Sequence, residues 1–76
     1  MDSISEVFLF SEPLTLGQKV RIARIAKRWT QADLAYASGV QQGYVSALER
    51  DLKVYPRAKK RILSALGMVD DGPEAK

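Results

Sequence analysis

The side chains in this 76-residue chain that are best placed to do chemistry are hydrogen-bonding groups rather than reactive ones. Gln41, Gln42, Ser46 and Arg50 fall at helical spacing beyond Gly39, with Gly43 and Ala47 interleaved. A glutamine amide can pair bidentately with adenine, a serine hydroxyl can contact any base, and an arginine is suited to phosphate. Reactive groups are scarce. There is no His and no Cys, which removes disulfides, thiol chemistry, a Cys/His zinc site and histidine acid–base catalysis. No glycine-rich phosphate loop occurs either. The residues point to recognition, with no catalytic residue, no metal and no cofactor expected.

Those side chains need a scaffold that aims them, and residues 31–49 have the pattern of one. Leu34 and Ala35 lie on the inner face of a first helix, and Ala35 is small where two helices would cross closely. Gly39 follows the last helical residue, where the chain needs a left-handed conformation. Val40, Val45 and Leu48 then return to the core side. Two helices joined by a short glycine-containing turn place a recognition helix in the DNA major groove. With Val45 and Leu48 inward, the helical period turns Gln42, Gly43, Ser46, Ala47 and Arg50 outward, with Gln41 at the helix entrance. Gln41, Gln42 and Ser46 are the foremost base readers. Gly43 offers only backbone and Ala47 only apolar contact, so direct readout is thin and DNA shape carries part of the specificity.

The rest of the chain reads as a frame for that unit. Thr15 to Gln18 forms a capping box, starting a helix at Leu16 that runs to about Arg28. Leu16, Val20 and Ala23 give it one core stripe. Thr30 to Asp33 is a second capping pattern, starting a helix at Gln31 that ends near Ala37 or Ser38. The next helix spans about Gln42 to Arg50. Pro56 suits the first turn of a last helix and Gly67 its end, with Ala58, Ile62, Ala65 and Leu66 inward. Residues 1–12 form an N-terminal extension in which Ser3 to Phe10 reads as either a short strand or a helical turn. Residues 13–68 form the domain, and residues 69–76 an acidic tail that reads as disordered.

Charge separates the same three regions. The formal net charge is +3. All but one of the 12 Lys and Arg lie between residues 13 and 67, opposed there only by Asp33, Glu49 and Asp51. A basic centre between acidic ends suits a polyanion. The longest apolar run, Val7-Phe8-Leu9-Phe10, is far too short to span a membrane. Asp2 and Glu6 stand where a signal peptide would be basic, so a cytoplasmic protein is expected.

From Leu16 to Met68 the chain resembles the Cro/C1-type (Xre) helix-turn-helix family. The resemblance rests on Leu16-Gly17 with Val20-Arg21, Thr30-Gln31 with Leu34-Ala35, Gly39-Val40 through Tyr44-Val45-Ser46 to Leu48-Glu49-Arg50, and Ala65-Leu66-Gly67. It implies a compact all-α bundle of four or five helices, like the DNA-binding domain of lambda repressor. It also implies sequence-specific binding to a double-stranded DNA operator, usually as a homodimer, by a small nucleoid-associated regulator such as a Cro-like repressor. The chain's end soon after the domain fits a stand-alone regulator, and equally a fragment of a longer repressor. By family position Lys53, Tyr55, Arg57 and Tyr44 join Arg50 as phosphate contacts. Gln31, with the amides opening its helix, also favours anions. Lys27 and Arg28 are weaker candidates that also complement a helix dipole. Arg24 and Glu49 match a pair that forms a structural salt bridge in the family.

Two features depart from the pattern. Gly43 stands where the family has a side chain, and costs about 1 kcal/mol of helix stability relative to Ala. Ile22 and Ile25, with Trp29, lie opposite Leu16 and Val20, where the family has polar residues at the two isoleucine positions; Trp29 also suits the ordinary core, because the family has an apolar residue before the Thr-Gln. The run from Val7 to Phe10, folding back or crossing to a second subunit, is expected to cover them. The same run suits a protein partner, so an antitoxin or adapter built on a helix-turn-helix stands as the alternative function.

Overall fold

The computed structural model describes residues 13–68. Four helices occur among the described residues: α1 Leu16–Ala26, α2 Gln31–Ser38, α3 Gln42–Glu49 and α4 Pro56–Ala65. None of the described residues is in a strand. The N-terminal extension with its apolar run and the acidic tail lie outside the described residues.

Each of the first two helices starts on a reciprocal cap. The Thr15 hydroxyl accepts from the Gln18 N–H at 3.1 Å, and the Gln18 side chain accepts from the Thr15 N–H at 2.8 Å. Thr30 and Asp33 repeat the exchange at 3.0 and 2.8 Å. Two of the four orphan amides at each helix start are satisfied this way. Pro56 opens α4, where its missing N–H leaves no bond unmade.

All four helices stop by one device. A residue with positive φ follows the helix: Arg28 at 60°, Gly39 at 71°, Asp51 at 59° and Gly67 at 74°. The amide after it reaches back to a carbonyl of the last turn: Trp29 to Arg24, Val40 to Ala35, Leu52 to Ala47 and Met68 to Leu63, at 2.8–3.1 Å. This is the Schellman arrangement, which glycine enters without strain. Arg28 and Asp51 enter it with a side chain, and so α1 ends at Ala26, two residues before the expected Arg28. α3 ends at Glu49, with Arg50 at its cap.

The core is built from one stripe on each helix. Val20 of α1, Leu34 of α2, Val45 of α3, and Ile62 and Leu63 of α4 are the largest fully buried side chains. Complete burial of such a side chain stabilises by about 1.5–3 kcal/mol. Leu16, Ala23, Trp29, Val40 and Ala65 pack against this cluster from its edges. α2 lies against both α3 and α4, and α1 against α3. α3 is thus held by all three of the other helices.

Candidate nucleic-acid interface

The turn between α2 and α3 sets the angle of the unit. Gly39 takes the left-handed conformation, and its N–H donates to the Tyr36 carbonyl at 3.2 Å. Ala35 is 5% exposed and lies in the core cluster with Val45 and Leu48. Ser38 is buried as well, and its hydroxyl donates to the Leu34 carbonyl at 2.6 Å, which satisfies it without a partner on another helix. Among the described residues no buried side-chain nitrogen or oxygen lacks a hydrogen bond.

α3 inserts Val45 and Leu48 into the core. Gln41, Gln42 and Gly43 are exposed at its start, Ser46 and Ala47 are half-buried, and Arg50 is exposed beyond its end. No side chain caps the N-terminus of α3. A methyl group added at Gly43 would meet nothing within 4 Å, so the space around Gly43 does not require a glycine.

A second group of residues gathers beside α3. The Tyr44 and Tyr55 rings meet edge to face, with centroids 6.1 Å apart and planes at 73°, a favoured aromatic geometry. The two rings bring the loop before α4 against the flank of α3. An open groove between the turn and the start of α4 is lined by Gln41, Tyr44, Tyr55 and Arg57 together with Arg61. Lys53 lines a neighbouring depression with the same two tyrosines. Arg61 joins them without a motif of its own in the sequence. Its guanidinium approaches the Gly39 carbonyl at 3.5 Å, and only its spacing of four from Arg57 hinted at a shared face. Arg50 lines neither depression.

Behind α3 sits a polar brace. The Arg24 guanidinium from α1 donates to both carboxylate oxygens of Glu49, at 2.6 and 3.1 Å. Its third nitrogen donates to the Trp29 carbonyl at 2.8 Å. The two side chains are 12% and 5% exposed. Gln31 completes the brace: its amide donates to Glu49 at 3.1 Å. One amide proton of this candidate phosphate ligand is therefore committed to the interior. Burial by itself would push the Glu49 carboxyl up. The hydrogen bonds from Arg24 and Gln31, and the charges of Arg24 and Arg21, outweigh it and hold Glu49 below its ordinary value. The hydrogen bond to Glu49 raises Arg24 in turn.

A second brace was not visible in the sequence. Asp51, just past α3, accepts from the Gly17 N–H at 2.9 Å and from the Thr15 hydroxyl at 2.8 Å. A carboxylate at the start of α1 complements the positive end of that helix. A methyl group on Gly17 would lie 2.6 Å from the carbonyl oxygens of both Leu48 and Glu49. The start of α1 and the end of α3 are therefore in backbone contact.

Among the described residues no helix is long and apolar enough to cross a membrane, and no group of three or more His, Cys, Asp or Glu could hold a metal ion. A family model described as helix-turn-helix matches residues 20–68. No curated protein and no solved structure matches the chain. The matched residues run from Val20 through all of α2, α3 and α4, well over half the chain, and include the glycine turn, the buried stripe of α3 and both ends of the Arg24–Glu49 brace. The chain belongs to the Cro/C1-type helix-turn-helix family of DNA-binding proteins.

Proposed function

We propose that the chain is a small transcriptional regulator, a Cro-like repressor, that binds a DNA operator as a homodimer with α3 in the major groove. Gln41 and Gln42 are the principal base readers. Ser46 adds a hydroxyl, and Gly43 and Ala47 allow close approach without a polar contact. Tyr44, Lys53, Tyr55 and Arg57 grip phosphates along one flank, Arg50 does so beyond the end of α3, and Gln31 does so with the first amides of α2. Arg24 and Glu49 do not touch DNA; they hold α3 at its angle.

The observation that carries this reading is the arrangement of α3. One side is locked to the core and to two polar braces, while Gln41, Gln42 and Gly43 at its start are exposed. Rigid support behind a polar, exposed N-terminal turn is what base readout requires.

Selection of bound fragments from random duplex DNA tests the proposal. A single enriched palindrome is expected, with half-site centres about one helical turn, ~34 Å, apart for a dimer. Recovery of unrelated sequences would contradict sequence-specific readout. The second reading, a protein-binding antitoxin or adapter, is favoured by Ile22 and Ile25, which are 54% and 53% exposed. Salt separates the two, because binding through phosphates weakens steeply as salt rises.

A further inference from the structure

The face of α1 opposite the core is apolar at its centre. Ile22 and Ile25 stand there at a spacing of three, each more than half exposed, and so share one patch of the helix surface. Lys19 and Arg21, also exposed, border the patch in the helical period. No carboxylate occurs from Leu16 to Arg28. The residues joined to the start of α1 have the opposite character. Residues 1–12 carry Asp2, Glu6 and Glu12, no Lys or Arg, and the apolar residues Ile4, Val7, Phe8, Leu9 and Phe10.

We propose that this patch is a docking surface for the chain's own N-terminal segment, with Phe8 and Phe10 against Ile25 and Ile22. Reach supports the pairing. A helix rises 1.5 Å per residue, so Ile22 and Ile25 lie about 10 and 15 Å along α1 from Thr15. An extended chain covers about 3.3 Å per residue, which takes Phe10 about 10 Å and Phe8 about 17 Å back from Pro13. The apolar residues of the segment match the patch in distance, and Glu12, next to Pro13, complements Lys19 and Arg21 in charge. The short link at Pro13 gives the segment a high effective concentration over this face, which favours it over a second molecule.

The chain has no cysteine, so introduced pairs report proximity without background. The full chain is made with Phe10→Cys and Ile22→Cys, with Phe8→Cys and Ile25→Cys, and with Phe8→Cys and Ser64→Cys on the exposed side of α4 as reference. Each is oxidised mildly and followed by non-reducing electrophoresis and mass. The two α1 pairs should close within single molecules at least tenfold faster than the reference pair. Equal rates for all three would overturn the proposal, as would disulfide-linked dimers from the α1 pairs, which would assign the patch to a second copy.

Discussion

The Gly17 amide donates to the Asp51 carboxylate at 2.9 Å across 34 residues of sequence. It does so from a position that a side chain would crowd, because the Leu48 and Glu49 carbonyl oxygens lie 2.6 Å from where a Cβ would be. Asp51 has positive φ and ends α3, and the same carboxylate binds the first residues of α1. One residue thus stops α3 and fastens it to its neighbour. With the Arg24–Glu49 pair two residues before Asp51, the C-terminal end of α3 is held twice, while its N-terminal end carries the exposed glutamines.

Two glycines of similar helical setting should respond in opposite ways. Gly17→Ala should destabilise the domain by about 1–3 kcal/mol, because backbone must move to admit the methyl group. Gly43→Ala should stabilise it by about 1 kcal/mol, since its methyl group meets nothing. Urea unfolding followed by circular dichroism measures both. Loss of stability at Gly43, or none at Gly17, would be at odds with the packing described.

The brace predicts an acid limb. Glu49 titrates lower in the folded chain than in the unfolded one, where a glutamate has its ordinary value of about 4.3. Between those values the unfolded chain binds more protons, so Glu49's contribution is complete above the ordinary value and is lost as pH falls toward the folded one. Glu49→Gln should cost about 3 kcal/mol at pH 7, because it leaves Arg24 without its charge partner. It should also flatten the fall in stability below about pH 4.3. Stability of both forms measured from pH 7 to pH 2 checks the sign; an unchanged acid limb in the variant would assign it elsewhere.

The two side-chain-bearing residues at positive φ should part company. Arg28→Gly relieves a left-handed arginine, a conformation that costs roughly 1–2 kcal/mol in most residues, and should raise the melting temperature. Asp51→Gly relieves the same strain but removes the acceptor for Gly17 and Thr15, and should lower it. A rise in both would mean that the Asp51 contacts contribute nothing, and a fall in both that Arg28 carries no strain.

On DNA, Gln42→Ala should cost roughly 1–3 kcal/mol against the selected site and relax specificity at one position. Lys53→Ala should weaken binding to all sequences alike and reduce the salt slope by about one. Binding titrations on selected and scrambled duplexes separate the two effects. Identical behaviour of the variants on both duplexes would contradict the assigned docking.

Much of this was legible in the sequence because it is local. A Thr with Gln or Asp three residues on marks a helix start wherever it occurs, and Gly39 and Gly67 mark helix ends by their backbone freedom. The outward set on α3 follows from Val45, Leu48 and the helical period alone. Arg28 and Asp51 were not legible, because nothing in a side chain that usually avoids positive φ announces that it will adopt it. The Gly17–Asp51 contact, the Gln31–Glu49 bond and the Tyr44–Tyr55 ring pair were hidden for another reason. Each joins residues that meet only once the helices are packed, and none has a periodicity that a single chain displays.

Whether α3 reads sequence is decided by a comparison of two duplexes. The affinity of the unaltered chain is measured for the selected duplex and for a scrambled duplex of the same composition, across a salt series. Readout by α3 predicts binding to the selected duplex tighter by about a thousandfold or more at physiological salt. Equal affinities that vanish together as salt rises would contradict it and leave only the attraction of a basic surface for phosphate.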